Sequence, residues 1–250
     1  MHAKARSIAR RPKGRFFFGM ENHAHTQTRP HVARRETKSA IMQRAAATAG
    51  TLSRPSKMPC FSYSLPAAEC ITGTKLRSKA ASTCAKCYAM RGNYARPNVR
   101  SAMQRRLDAV RGDLDQWAAA MVEQITAAER SAFFRWHDSG DIQSAAHLLA
   151  IFDVCAATPH LTHWLPTREL AMVRAALAER ERPRNLIIRL SAFMRGAPPS
   201  AALAERLGVH TSTVDYATGA TCEAGKRGGV CGECRACWQP AVANVNYPLH

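Results

Sequence analysis

The chain has 250 residues, 46% hydrophobic and 22% charged, which is typical of a globular protein and argues against wholesale disorder. Its 36 Lys and Arg outnumber 18 Asp and Glu, and the net charge of +18 favours anionic partners such as nucleic acids or nucleotides. The sequence contains no apolar run long enough for a membrane-spanning helix and no apolar core of a secretion signal, so we expect a cytoplasmic protein.

Residues 1–56 form a basic segment without sustained apolar periodicity. Residues 1–57 contain 13 Lys and Arg but only two Glu. Blocks of like charge are usually disordered, so we predict a disordered arm. The alternatives are a nucleic-acid-binding arm, an organellar transit segment, or coding upstream of a later start such as Met42 or Met58.

Residues 57–216 alternate between strand and helix patterns. The predicted strands are Cys60–Leu65, Ala132–Trp136, Leu161–Leu165, Asn185–Leu190 and Val209–Tyr216. The predicted helices are 99–125 with a break near Gly112, Ser144–Ala156, Arg168–Arg180 and Ser200–Leu207. Regular spacing of the later strands is typical of βα units, which require a parallel sheet. We therefore predict an α/β fold, a partial or open βα barrel of about five mainly parallel strands with Cys-rich metal-binding loops.

Polar residues follow each predicted strand at the end where α/β proteins carry their chemistry. They include His137, Asp138, Ser139, Gly140 and Asp141 after the second strand, Arg168 and Glu169 after the third, and Arg189 and Ser191 at the end of the fourth. We predict a functional cleft with His137, Asp138 and Glu169 as proton carriers or substrate ligands. The alternative is that residues such as Asp141 or Ser144 only cap helices.

The carboxyl-terminal segment, 217–250, contains a C-x8-C-x2-C-x2-C motif. Its members are Cys222, Cys231, Cys234 and Cys237. Short spacers of this kind wrap several thiolates around one inorganic centre, as in ferredoxin-type [4Fe–4S] sites. A structural zinc ion on four thiolates is the main alternative.

Three further cysteines, Cys70, Cys84 and Cys87, lie in the loop after the first predicted strand. Three thiolates on a four-iron cluster leave one iron open to a small ligand, which is the basis of S-adenosylmethionine chemistry. The alternative is a zinc site completed by Cys60 or by a histidine such as His137. We predict that Cys155, in an apolar helix, is a core residue.

Several motifs resemble the phage and prophage family called gene product 88. They include K-M-P-C-F-S-Y-S-L-P-A, F-F-R-W-H-D-S-G-D, W-L-P-T-R-E and C-G-E-C-R-A-C-W, and the resemblance extends from Lys57 to His250. This family has no known function, so the resemblance implies a phage or prophage context and no reaction.

The order of motifs is also distantly similar to that of radical S-adenosylmethionine enzymes. In those enzymes the cluster loop follows the first strand of a partial barrel, and a G-G-E-like motif after the second strand holds the cofactor's amino group. By this similarity Ser139, Gly140 and Asp141 stand for that motif, and Arg168 or Arg189 would bind the cofactor's carboxylate. The first cysteine spacer, at 13 residues, is ten longer than in those enzymes.

The sequence thus predicts an iron–sulfur, radical S-adenosylmethionine-like enzyme that needs a reductant and acts on a nucleotide or nucleic acid. One alternative is a zinc-stabilised basic module that binds nucleic acid without catalysis. Another is a hydrolase that holds a divalent metal on Asp138, Asp141 and Glu169.

Overall fold

The computed structural model describes residues 36–249. Its strands are β1 (Ser62–Tyr63), β2 (Phe133–Trp136), β3 (Thr162–Thr167), β4 (Leu186–Ser191), β5 (His210–Val214), β6 (Ala220–Thr221) and β7 (Asn244–Tyr247). Its α-helices are α1 (Lys38–Ala49), α2 (Ile71–Leu76), α3 (Pro97–Val110), α4 (Leu114–Ala128), α5 (Ala145–Ala157), α6 (Leu170–Glu179) and α7 (Ala201–Arg206).

Within residues 36–249 the seven strands form one parallel sheet in the order β1-β2-β3-β4-β5-β7-β6. The edges β1 and β6 are not paired with each other, so the sheet is open. The predicted parallel α/β architecture is confirmed, but the predicted count of five strands is wrong. Both additional strands come from the carboxyl-terminal segment: β7 pairs with β5, and β6 pairs with β7. They were missed because β6 has two residues and β7 has no apolar run.

The structure confirms the predicted break near Gly112 and adds one helix after β1, α2, that was not predicted. Residues 99–125 belong to two helices, because the chain turns at Gly112 and Asp113 caps the start of α4. The Asp113 carboxylate accepts hydrogen bonds from the Asp115 and Gln116 amides, both 3.0 Å. This N-cap gives the second helix its own start. Likewise, Ser144 caps α5 by accepting a bond from the His147 amide.

Residues 36–56 belong to the folded domain, which corrects the predicted disordered segment over this part of its length. The Thr37 hydroxyl caps α1, and Ala45 and Ala49 are buried. Gln124 of α4 donates to the Gly50 carbonyl (2.9 Å), which holds the end of α1. The apolar face of α1 consists largely of alanines, which produce a weak periodic signal. The rest of the predicted segment, 1–35, lies outside the described residues.

The two faces of the sheet are covered differently. Phe134 and Trp136 of β2 belong to the main core, which lies beneath the helices. Phe133, one residue earlier, packs on the opposite face in a smaller cluster with Cys60, Trp164 and Trp238. This alternation follows from the two-residue period of a strand. The carboxyl-terminal segment therefore covers part of the face that the main core does not occupy. No helix in the described part of the chain is long and apolar enough to cross a membrane.

Candidate metal and cofactor site

Asp141 lies at the carboxyl edge of the sheet, where β2 and β3 end. Its carboxylate accepts hydrogen bonds from the Thr167 hydroxyl (2.6 Å), the Ile142 amide (2.8 Å) and the Arg168 amide (2.9 Å). Burial raises the pKa of Asp141 to about 6, although the Thr167 bond opposes the shift. The structure thus brings Asp141 and the main chain of Arg168 together, and Asp141 is largely deprotonated at neutral pH.

Glu169 connects the end of β3 to the first cysteine loop. Its carboxylate accepts bonds from both the amide and the hydroxyl of Thr72, each 2.7 Å. Thr72 is in the first turn of α2, which begins directly after Cys70. Glu169 is 4% exposed, so this contact is inside the protein. The carboxylate therefore positions α2, and with it Cys70, against the sheet.

Asp138 is surrounded by hydroxyl groups. Its carboxylate accepts hydrogen bonds from Ser62, Ser64 (2.7 Å) and Tyr94 (2.7 Å). Its main-chain carbonyl accepts a bond from the Tyr88 hydroxyl. Both tyrosines lie shortly after Cys87, so Asp138 joins the end of β2 to the chain that follows the first cysteine set.

His137 is buried beside Asp138 and has a positive φ of 56°. Its Nδ1 lies 3.0 Å from the Tyr63 carbonyl, which makes Nδ1 the donor and leaves a lone pair on Nε2. Burial lowers the pKa of His137 to about 4, so the ring is neutral at pH 7. Among residues 36–249 its Nε2 has no hydrogen-bond partner. His137 can therefore accept a proton or a hydrogen bond at Nε2.

Ser139 and Gly140 pack against the end of the first strand. The Ser139 hydroxyl donates to the Leu65 carbonyl (2.8 Å), and the Leu65 amide donates to the Ser139 carbonyl (2.8 Å). Gly140 has a φ of 83°, and a Cβ there would lie 2.8 Å from the Leu65 oxygen. Only glycine fits this close approach, so the Ser139–Gly140 turn positions Asp141.

The two predicted carboxylate-binding arginines differ in their available donors. Arg189 donates to five main-chain carbonyls, those of Thr211, Ala236, Cys237, Gln239 and Val242. These bonds match its five N–H groups. Arg168 donates from Nε to the Thr83 hydroxyl and the Ala192 carbonyl, both 3.1 Å. Its two terminal nitrogens form no hydrogen bond within the described residues, so Arg168 can bind a ligand.

The first cysteine set, Cys70, Cys84 and Cys87, lies beside Asp141 and Arg168. Burial raises the pKa of the Cys70 thiol, and the nearby Asp141, Cys87 and Cys84 raise it further. Burial also raises the pKa of Cys84, while Arg168 lowers it. The sulfurs of Cys70 and Cys84 lie close to Gly73, where an added Cβ would be 3.7 Å from the first and 3.6 Å from the second. The three thiols therefore interact with one another at the carboxyl edge of the sheet.

The second set, Cys222, Cys231, Cys234 and Cys237, lies in the carboxyl-terminal segment. Burial raises the pKa of Cys231, and neighbouring Cys222 and Cys234 add to that shift. Burial raises the pKa of Cys237 to about 11, although its 3.1 Å hydrogen bond with Tyr247 opposes the shift. Cys231 and Cys237 thus each have at least one other thiol of this set nearby.

Cys60 lies with the second set. Burial raises its pKa to about 12, with Glu129 and Cys231 contributing in the same direction. Cys60 and the partly buried Cys237 pack in one cluster with Trp164 and Trp238. Because Cys60 lies beside the second cysteine set, the structure does not favour the alternative in which Cys60 completes a zinc site with the first set. Cys155 is fully buried in the main core, which confirms its predicted role.

Arg135 of β2 lies near the second cysteine set, and the sequence analysis did not identify it as a candidate residue. Its guanidinium lies 4.4 Å from the centre of the Trp164 ring, and its Nη1 lies 3.2 Å from the Met58 sulfur. Arg135 lowers the pKa of Cys60, Cys231 and Cys237. A cation beside several thiols favours their thiolate forms. A single arginine in an aromatic strand belongs to no recognisable motif, so its position near the thiols could not be predicted from the sequence.

The family model for gene product 88 matches residues 31–240. The chain belongs to the gene product 88 family. The match includes both cysteine sets and α1, and so extends further towards the amino terminus than the motifs quoted above. No curated protein and no solved structure matches this member of the family.

Within the described residues, no three His, Cys, Asp or Glu side chains of this gene product 88 family member converge as ready ligands for a metal ion. The carboxylates and thiols nevertheless differ in what they contact. Asp138, Asp141 and Glu169 each accept hydrogen bonds from separate hydroxyl and amide groups, which gives a shared divalent cation no support. At Gly73, by contrast, an added Cβ would lie 2.9 Å from the Cys70 Cβ, so only glycine fits beside this cysteine without a shift.

Proposed function

We propose that this protein is an iron–sulfur enzyme with two thiolate-ligated [4Fe–4S] centres that uses S-adenosylmethionine at the first. One observation carries the proposal. Cys70 and Cys84, with Cys87 nearby, lie at the carboxyl edge of a parallel open sheet, and Asp141 and Arg168 are charged neighbours of both Cys70 and Cys84. This is the edge of an α/β sheet at which ligands bind.

The first cysteine set would hold a cluster through three thiolates. When bound, a cluster with an open iron supplies one-electron cleavage of the sulfonium bond of S-adenosylmethionine. The proximity of Cys70 to Cys84 and Cys87 supports this role, and the packing of Gly73 against Cys70 and Cys84 keeps two of the thiols close together. Binding of the metal would displace the thiol protons, which burial otherwise retains at neutral pH.

Asp141 and Arg168 would bind the amino acid moiety of the cofactor. A carboxylate offers about four acceptor positions, and Asp141 uses three of them within the protein. One position on Oδ2 is left for an ammonium group. The terminal nitrogens of Arg168 can donate two parallel bonds to a carboxylate. His137, neutral and with a lone pair on Nε2, would accept a hydrogen bond from a ligand.

The second set would hold an auxiliary centre that transfers electrons or binds substrate. Cys222, Cys231, Cys234 and Cys237 would ligate it, with Arg135 compensating part of its negative charge. Arg189 would be a positioning residue, because its five hydrogen bonds to main-chain carbonyls hold the loop that carries Cys237. A reductant would supply the electrons.

The test is anaerobic purification of the full chain followed by iron, sulfide and zinc analysis. We expect about eight iron and eight sulfide per chain. Cys84→Ala and Cys231→Ala should each lose about half of the iron, and Cys155→Ala, a thiol of the main core, should lose none. Stoichiometric zinc without sulfide would overturn the proposal and favour the zinc-stabilised module.

The second part of the test addresses S-adenosylmethionine directly. With dithionite as reductant, the wild-type protein should convert S-adenosylmethionine to 5′-deoxyadenosine and methionine. Cys84→Ala should abolish this reaction while Cys231→Ala retains the iron of the first centre. Cleavage that survives Cys84→Ala would remove the first set from the chemistry.

A further inference from the structure

The surface around Cys84 and Cys87 combines positive charge with exposed apolar side chains. Between Cys70 and Pro97 the sequence has six Lys and Arg and no Asp or Glu. Lys79, Lys86 and Arg91 of this stretch are exposed, and none of them forms an ion pair with another described residue. The positive charge of this surface is therefore not neutralised by an ion pair among residues 36–249.

Exposed apolar groups concentrate at the same loop. Of the six large hydrophobic side chains exposed among residues 36–249, three surround it: Tyr88 at 42%, Met90 at 44% and Phe193 at 42%. The Thr83 amide donates to the Phe193 carbonyl (3.0 Å), and the Met90 amide donates to the Cys87 carbonyl (3.2 Å). Phe193 and Met90 are thus held on either side of the Cys84–Cys87 turn.

The cations are fixed to this turn as well. The Arg91 side chain donates to the Lys86 carbonyl (3.4 Å), and Lys86 lies between Cys84 and Cys87. The Ser82 amide donates to the Lys79 carbonyl (2.8 Å), and the Arg195 side chain donates to the carbonyl of Ala80. These hydrogen bonds connect Phe193 and the exposed cations to one stretch of chain, and we call residues 79–91 with Phe193 the basic loop surface.

We propose that the basic loop surface binds a single-stranded nucleic acid. A polyanion can neutralise several unpaired cations at once, whereas the centres of protein–protein interfaces are depleted of charged residues. Exposed rings beside Lys and Arg are the combination that stacks unpaired bases while the cations contact phosphates. A duplex keeps its bases stacked inside and would offer no unpaired base to the exposed Phe193 ring. The inference goes beyond the proposed iron–sulfur chemistry and does not depend on it.

The test is fluorescence anisotropy with labelled single-stranded DNA and RNA oligonucleotides, using the full chain over a range of salt concentrations. Neutralising three cations of the surface (Lys79→Gln, Lys86→Gln, Arg91→Gln) should reduce the slope of log K against log salt by about 2. The matched control is Arg174→Gln, Arg184→Gln and Arg206→Gln, three exposed arginines on α6, before β4 and on α7. It removes the same charge from other surfaces and should leave the slope unchanged. Residues 1–35 are present in every variant.

The contribution of base stacking to the affinity is measured separately with Phe193→Ala. This substitution should weaken binding of single strands roughly tenfold and leave binding of a duplex unchanged. Leu249→Ala, an apolar side chain with 38% exposure elsewhere, serves as its control. Unchanged thermal unfolding shows that each variant is folded.

Three results would overturn the inference. They are an equal loss of slope in the control triple variant, tighter binding of a duplex than of either single strand, and competition by poly-L-glutamate as effective as that of the oligonucleotide. The last result would identify the surface as a site for an acidic protein. Binding to apo protein with the expected slopes would support the inference even if the iron analysis excluded clusters.

Discussion

The Arg189 guanidinium, buried at the end of β4, donates a hydrogen bond to the main-chain carbonyl of Cys237 (3.0 Å). Its other donors bind four more carbonyls, three of them in residues 236–242. One side chain thus fastens the carboxyl-terminal segment to the sheet.

Arg189→Met should destabilise the protein by about 3–5 kcal/mol, because it leaves several buried carbonyls without donors. Thermal and urea unfolding of the metal-free protein measure the change. Arg180→Met is the control, since Arg180 pairs with Asp153 on the surface and should contribute about 0–1 kcal/mol. Equal effects of the two substitutions would contradict the role assigned to Arg189.

Gly73→Ala should reduce metal binding at the first cysteine set. The added Cβ would lie 2.9 Å from the Cys70 Cβ, which is too close, so the Cys70 side chain would have to shift. Iron per chain should fall by about half, and the remaining iron should depend on Cys231. At Gly112 an added Cβ comes no closer than 3.4 Å to any atom, so Gly112→Ala should keep its full iron.

Acid should destabilise the protein through buried histidines, of which His163 is the clearest. Burial lowers the pKa of His163 to about 3, and its Nε2 lies 2.9 Å from the Thr158 hydroxyl. The unfolded chain takes up a proton below about pH 6.5 while the folded chain does not, so acidification favours unfolding. Between pH 6.5 and 5 the wild type should lose about 2 kcal/mol more than His163→Gln. If the free energy of unfolding changed with pH equally in the wild type and in His163→Gln, this prediction would be wrong.

The folded domain should require α1. A chain that starts at Met58 lacks this helix and exposes the surface of α4 that packs against it, including Gln124. We expect it to unfold at a lower temperature than the full chain or to aggregate. A chain that starts at Glu36, with an added initiator methionine, should unfold cooperatively near the full-length midpoint. Differential scanning calorimetry compares the three.

The parallel sheet could be predicted from sequence because its strands are short apolar runs separated by helices of regular length. β4 is the clearest case, since all six of its residues are buried. The presence of α1 could not be predicted, because a helix whose buried positions are alanines has little periodic contrast. β6 and β7 could not be predicted either, because their pairing depends on β5 and not on their own residues.

The sequence by itself determined which chemical groups the protein contains: two groups of thiols, polar residues after the strands, and a large positive charge. Only the tertiary structure decided how these groups are used. It placed Cys60 beside the second thiol set, gave each N–H group of Arg189 a main-chain acceptor, and left the terminal nitrogens of Arg168 without a hydrogen bond among residues 36–249. The physical reason is that a side chain's role depends on its remaining hydrogen-bonding capacity and its neighbours' charges, and residues far apart in the sequence set both.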